Sequence, residues 1–349
     1  MNKIIEEDII TILESNVDWS RFKNKTVLIT GANGFLPAYM VETLMYLNNH
    51  HNFDITVVCL VRNLVKAQKR FAGYLKSDHL IFLHQDVCDE IKYRNKIDFI
   101  IHAASQASPK YYGIDPVGTL SANIFGTRNI LNLAVVDKVE SLLYFSSGEI
   151  YGIQSDESVP IQEDSYGFVN PMSIRSCYAE SKRMGENMCV SWGSQYGVNV
   201  KIVRPFHTYG PGMDLTDGRV FADFVGNIVN DEDIIMKSNG LAQRPFCYLS
   251  DAIIAYFKIL LVGESGEAYN VGNPNCECSI LELAQTLVTL FPEKNLKVIT
   301  QITANDLTTV QMKSPLQRCT PNIKKISDLG WCPIVSVEQG FKRTIESYL

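Results

Sequence analysis

Tyr178-Ala-Glu-Ser-Lys182 carries two side chains that could do proton chemistry together. One helical turn rises about 5.4 Å, so residues i and i+4 share a face and the phenol and ammonium would project side by side. A neighbouring ammonium favours the phenolate, so Tyr178 is expected to act as a base towards a substrate hydroxyl, with Lys182 lowering its pKa. The pattern is short, and two surface residues on an amphipathic helix would also satisfy it. Its weight comes from the earlier stretch Phe145-Ser-Ser-Gly-Glu-Ile-Tyr-Gly152, where an apolar run ends in serines able to hydrogen-bond the same hydroxyl. A third stretch, Gly31-Ala-Asn-Gly34-Phe-Leu-Pro37, directly follows the apolar run Thr26–Thr30. Gly31 permits a tight turn, and Gly34 lets the backbone approach a pyrophosphate at a helix N-terminus, the pattern of a dinucleotide site. A third glycine is expected at position 37, where Pro37 stands. Proline in a first helical turn loses no intrahelical bond. The amides of Phe35 and Leu36 therefore remain for phosphate, and Pro37 is expected to alter packing between this helix and the first strand.

The elements that must position these residues read as an alternation. β-rich runs occur at 26–30, 55–61, 80–85, 97–103, 141–147 and 200–206, with helical periodicity between them at 36–48, 118–137 and 177–196. Such alternation predicts an α/β fold built on a doubly wound parallel sheet. Residues 3–14 suggest a short amphipathic helix ahead of it. After about Pro211, Gly, Pro and Asn punctuate shorter elements up to a final helix near 337–348. The expected organisation is a helical extension over 1–24 and a dinucleotide-binding domain over 25–205, which also receives about 245–262. A mainly substrate-binding lobe follows over 206–349.

Bulk properties exclude other classes. A net charge of −6 without a long basic run leaves no footprint for nucleic acid. No apolar run approaches the roughly 18 residues of a membrane span. The opening MNKIIEEDII lacks the basic-then-apolar layout of a signal peptide. A cytoplasmic protein with no nucleic-acid or membrane partner is expected. The nine cysteines are scattered, and Cys276 and Cys278 have no histidine at zinc-ligand spacing, so reduced thiols and no metal site are expected.

From about Lys25 onward the chain resembles the extended short-chain dehydrogenase/reductase family, the NAD-dependent epimerase/dehydratases, in its nucleotide-sugar branch. It looks most like the UDP-glucuronate decarboxylases, or UDP-xylose synthases. The stretches that carry the resemblance are HAASQASPKYYGIDPVGTL (102–120), NIFGTRNIL (123–131), GFVNPMSIRSCYAESKRMGENM (167–188), TYGPGMDLTDGRV (208–220), YNVGNPNCECSILELAQ (269–285) and PNIKKISDLGWCP (321–333). It implies a Rossmann-type sheet with an intergrown smaller α/β C-terminal substrate lobe, and a homodimer paired through the helices at 118–137 and 177–196.

The resemblance also assigns residues. Gly31, Asn33, Gly34, Phe35 and Leu36 would hold the pyrophosphate of NAD, and Asp86 with Val87 would meet its adenine. Ala103, Ala104, Ser105 and Asn123 would line the cofactor. Ser147 matches the catalytic Ser/Thr, Tyr178 the base, and Lys182 the lysine serving both tyrosine and nicotinamide ribose. Glu149 matches a carboxylate beside the sugar. Arg244 matches an arginine near pyrophosphate and sugar, a candidate to protonate the intermediate or hold a carboxylate. Ser108, Tyr112, Arg175, His207, Arg219 and Val220 complete the substrate-binding set. The implied activity is transient C4 oxidation of a nucleoside-diphosphate sugar, UDP-sugars favoured, with the cofactor regenerated in each cycle. UDP-glucuronate decarboxylation leads, a 4-epimerase or 4-oxidoreductase is the alternative, and a 4,6-dehydratase ranks below both. Intact Ser147, Tyr178 and Lys182 argue against a non-catalytic binding protein.

Several positions depart from that pattern. Gly148 stands where dehydratases carry Asp and decarboxylases a small hydroxyl residue. His207 replaces an Asn that contacts substrate, either filling the same slot by a hydrogen bond or changing specificity. Gly212 and Cys319 stand where decarboxylases place basic residues. The second strand ends Cys59-Leu-Val-Arg62-Asn63 instead of in the Asp of NAD-preferring members. Arg62 could accept a 2′-phosphate and so admit NADP, or simply face solvent, and Asn63 could serve the ribose.

Overall fold

A computed structural model describes residues 2–155, 158–301 and 318–349. Six apolar runs form strands within two residues of their expected bounds. These are β1 (Thr26–Thr30), β2 (Thr56–Val61), β3 (Leu80–His84), β4 (Phe99–His102), β5 (Ser141–Phe145) and β6 (Val200–Pro205). With a further strand, Ala268–Val271, they make one parallel sheet in the order Ala268–Val271, β6, β5, β4, β1, β2, β3. The strands are nearly uninterrupted Val, Ile and Leu because helices cover both faces.

The helices are α1 (Lys3–Leu13), α2 (Phe35–His51), α3 (Leu64–Arg70), α4 (Lys110–Ile114), α5 (Pro116–Ser121), α6 (Thr127–Asp137), α7 (Ser176–Tyr196), α8 (Val220–Val229) and α9 (Leu249–Val262). Val27, Ile29, Val57 and Cys59 pack with α1, α2 and α9 on one face of the sheet. Leu28, Val58, Leu60 and Ile100 pack with α6 and α7 on the other. A separate core, with Phe224, Val225, Leu283 and Phe341, joins α8 to the helices Ile280–Leu290 and Val337–Glu346.

One expectation changes. The helix read over 118–137 is interrupted between α5 and α6 by a wide π-helical turn, Ala122–Gly126. Gly126 is needed there, since a Cβ would lie 2.8 Å from Val87 Cγ1. The N-terminal extension packs into the fold: Ile9 and Ile12 of α1 are fully buried, and the buried Asp8 accepts from Tyr248 Oη (2.8 Å) and Arg343 Nη2 (2.9 Å). An N-terminal carboxylate thus pins the C-terminal helix to the body of the fold.

Helix α7 seats on the sheet through Gly185, whose missing side chain leaves the space that the Tyr144 hydroxyl fills. Gly185→Ala is expected to lift α7 from β5 and cost about 1–3 kcal/mol, the range for overpacked cores. Urea unfolding measures it, and an unchanged midpoint would contradict this seating.

Candidate active site

Strand order reverses at β1, which lies between β2 and β4, and ligands of such sheets bind beyond the strand ends at this switch point. A cavity of about 290 Å³ lies there. Of the residues expected in the site, it is lined by Gly31, Gly34, Phe35, Leu36, Ala103, Ser105, Tyr112, Ser147, Glu149, Tyr178, Lys182, His207 and Arg219.

The β1–α2 turn has the shape a pyrophosphate needs. Gly31 has φ +64°, and a Cβ on it would lie 2.9 Å from Ala104 Cα. Gly34 caps α2, so the amides of Phe35 and Leu36 have no intrahelical acceptor. Pro37 does sit in the first turn, where the Ala38 amide still reaches Gly34 O at 3.0 Å. The Ser105 and Ser146 hydroxyls are buried at the cavity wall without a hydrogen-bond partner. Unfilled donors and a glycine cradle together fit a dinucleotide.

A buried chain of hydrogen bonds holds the end of β4. Thr30 Oγ1 accepts from the Ala103 (3.1 Å) and Ala104 (3.0 Å) amides and meets His102 Nδ1 at 2.8 Å. Thr127 Oγ1 lies 3.1 Å from His102 Nε2 and donates to Asn123 O at 2.6 Å. Thr127 has thus spent its proton, which assigns the ring hydrogen to Nε2 and leaves Nδ1 to accept from Thr30. Burial first, then the charge of Lys182, pushes the His102 pKa down to about 3, so the ring stays neutral. Sequence reasoning missed Thr30, His102 and Thr127. Thr30 and His102 signalled themselves only as polar residues at the ends of apolar strands, and Thr127 only as a polar residue on the buried side of a helix.

Tyr178 and Lys182 are both buried on α7. Burial raises the phenol pKa above its ordinary value; a hydrogen bond with Ser147 and the charge of Arg219 pull it back, and Glu149 pushes it up. The Lys182 Nζ donates to Phe145 O (2.6 Å), lies 5.8 Å from the Tyr178 ring centroid, and burial pushes its own pKa down to about 7. Helical spacing put the two on one face, but the desolvated ammonium turned to a main-chain carbonyl.

On the other side of the cavity, Glu149 pairs with Arg175 at 3.0 Å. A Cβ on Gly148 would lie 3.2 Å from the Phe206 ring, so a side chain there would need that ring to give by a few tenths of an ångström. Burial, reinforced by Arg244 and Arg219, pushes His207 down to about 3, and its Nδ1 is 4.0 Å from Cys319 Sγ. Burial pushes the Cys319 thiol up to about 11. Gly212 (φ +82°) leaves room for Arg70, whose Nη1 would be 2.7 Å from a Cβ there while its Nη2 pairs with Glu42 at 2.9 Å.

The remaining expected residues lie outside the cavity wall. Asn33 lies in the turn beside it, and Ala104 packs on Gly31. Arg62 is exposed and 3.7 Å from Asp86. Asn63 caps α3 by accepting from the Lys66 amide (2.8 Å), so its side-chain oxygen is already engaged instead of facing a ribose. Val87 is buried against Gly126, and Asn123 donates to Ser181 Oγ at 2.9 Å. Ser108 donates to Asp217 O (2.5 Å), and Val220 opens α8. Arg175 reaches the site through Glu149, and Arg244, which donates to Gln243 O (2.7 Å), reaches it through its charge at His207.

A switch-point cavity carrying a buried Tyr/Lys pair and a serine on the phenol defines a dinucleotide-dependent α/β protein. The chain belongs to the NAD dependent epimerase/dehydratase family, which it matches over residues 27–272. It is 33% identical to UDP-glucuronic acid decarboxylase 6 of Arabidopsis thaliana, covering 93% of this chain and 89% of that one. It is also 33% identical to UDP-glucuronic acid decarboxylase 1 of Danio rerio, covering 93% and 72%. Among solved structures, its fold matches UDP-glucose 4-epimerase of Thermotoga maritima (TM-score 0.78, 20% identity, 93% of this chain and 98% of that one). It likewise matches UDP-glucuronic acid 4-epimerase of Bacillus cereus (TM-score 0.76, 20% identity, 93% and 98%).

The depressed Lys182 pKa has a consequence for stability. The unfolded lysine, near 10.5, binds more protons than the folded one above about pH 7, so this group makes stability rise with pH across that window. Lys182→Met should stabilise the cofactor-free protein at pH 7 and flatten the rise towards pH 10, read by urea unfolding at each pH. Identical pH slopes in the two proteins would refute the buried cation.

Proposed function

We propose that the protein converts a nucleoside-diphosphate sugar, UDP-glucuronate first, by transient oxidation at C4 and loss of the C6 carboxylate as CO₂. The observation that carries this is the buried Tyr178 and Ser147 together on the cavity wall, in a chain whose relatives are UDP-glucuronic acid decarboxylases. Gly31, Phe35, Leu36, Ala103 and Ser105 would hold NAD, which when bound supplies a hydride acceptor for C4 and later the return of that hydride. Tyr178 takes the O4 proton, and Ser147 orients the hydroxyl. A ketone at C4 makes the C6 acid a β-keto acid, which loses CO₂ readily; the enolate left behind takes a proton at C5 before the hydride returns to C4 and Tyr178 returns the O4 proton. Glu149, held by Arg175, faces the sugar, while Arg219 and Arg244 supply positive charge near the diphosphate. Lys182 fixes the wall behind the reacting oxygen through Phe145 O.

Exposed apolar side chains on α5 (Val117), the π turn (Phe125) and α7 (Met184, Val190) support a homodimer paired through these helices. A cytoplasmic enzyme supplying polysaccharide precursors completes the proposal; no helix among the described residues is long and apolar enough to cross a membrane.

The alternative is 4-epimerisation, favoured by one observation: Gly212 and Cys319 leave two positions of a decarboxylase without their cations. Dehydration has less support, because Gly148 supplies no acid where dehydratases carry Asp.

Incubation with UDP-glucuronate should release CO₂ and a UDP-pentose. Turnover of UDP-glucose or UDP-galactose with neither product would replace decarboxylation by epimerisation. Tyr178→Phe should lower kcat on the order of 10³-fold, as for loss of a general base, and leave NAD binding intact. Undiminished turnover would refute the mechanism.

A further inference from the structure

We propose that Tyr112 is a positioning residue for Tyr178, its stacked ring fixing the orientation of the phenol towards Ser147. The proposal rests on Tyr178 being the base of the reaction proposed above. The two rings lie 5.0 Å apart between centroids and 16° from parallel, an offset stack. Tyr112 is itself held at several points. Its hydroxyl donates to Ala107 O (3.0 Å), the acceptor that also takes Arg219 Nη2 (3.2 Å), and the Arg175 guanidinium carbon lies 6.0 Å from its ring centroid. Cys177 and Ala107 complete this small cluster.

A tyrosine near the start of a helix keeps freedom about its side-chain torsions unless something packs on its face. Ser147 shares the cavity wall with Tyr178, whereas Tyr112 packs on its face and constrains the ring plane. The charged and titratable groups around the phenol are Tyr112 from α4, Glu149 after β5, Arg219 ahead of α8, Lys182 on α7 and Arg175 just before it. Because Ala107 O ties Tyr112 to Arg219, a residue of the substrate lobe is linked to the orientation of the base through one carbonyl.

Two substitutions separate ring from hydroxyl. Tyr112→Phe keeps the stack and loses the bond to Ala107; Tyr112→Leu loses the stack. With UDP-glucuronate, Tyr112→Leu should lower kcat about 30- to 100-fold with KM within about twofold, the scale of misplacing a reacting group. Tyr112→Phe should keep at least about tenfold more kcat than Tyr112→Leu. Independently of turnover, the ionisation of Tyr178 can be read as the ultraviolet phenolate difference between each protein and its Tyr178→Phe counterpart. In Tyr112→Leu it should move to lower pH as water reaches the phenol, and in Tyr112→Phe, which keeps the stack, it should stay where it is in the wild type. Equal kcat losses in both variants, or an unmoved titration in Tyr112→Leu, would overturn the proposal. If Tyr112→Leu lacks a cooperative melt, Tyr112→Met, which fills more of the space, serves the same comparison. Should the wild type turn over no nucleotide sugar, the reaction proposed above fails, and the titration still decides the role of Tyr112.

Discussion

The constraint on which the site depends is the removal of an ionisable phenol and an ammonium from water in a single wall. Burial disfavours both charged forms, raising Tyr178 and lowering Lys182. Each group therefore needs a specific partner, and the surrounding structure supplies them. Phe145 O takes the Lys182 proton donor, Ser147 meets the phenol, and Gly185 lets α7 sit close enough to β5 for both contacts. A looser helix would admit water and bring both pKa values back towards their ordinary ranges.

The same economy of space governs the departures from the family pattern. Pro37, the irregularity most visible in the sequence, falls in a turn where no bond is lost and the free amides precede it. Gly148 and Gly212 matter more, because each missing side chain is answered by another residue: the Phe206 ring at one, the Arg70 guanidinium at the other. Arg70 is committed to Glu42, so it fills volume without presenting a free cation to the cavity. The substrate side is accordingly less cationic and more apolar than a row of basic residues would make it. His207 adds no charge, since desolvation and the charges of Arg244 and Arg219 keep its half-buried imidazole neutral.

The polar chain Thr30–His102–Thr127 links the two halves of the site. It fixes the Ala103 and Ala104 amides at the cofactor side and ends on Asn123, whose carboxamide reaches Ser181 beside Lys182. Breaking any one of these bonds would leave its partner buried and unpaired, which ties the shape of the dinucleotide cleft to the seating of α7.

The sequence by itself determined the sheet and the local chemistry. Continuous Val/Ile/Leu runs specify strands buried on both faces, and Gly31, Gly34, Tyr178 and Lys182 declare their roles through spacing along one turn or one helix. These are short-range constraints, written in neighbouring residues. What tertiary structure alone decided are contacts between distant segments: Phe206 over Gly148, Arg70 against Gly212, Tyr112 on Tyr178, Asp8 on Arg343, and the strand Ala268–Val271 at the sheet edge. It also decided the electrostatics. Spacing alone suggested that Lys182 would lower the Tyr178 pKa, but a pKa depends on how much water and which charges surround a group, and only packing sets those.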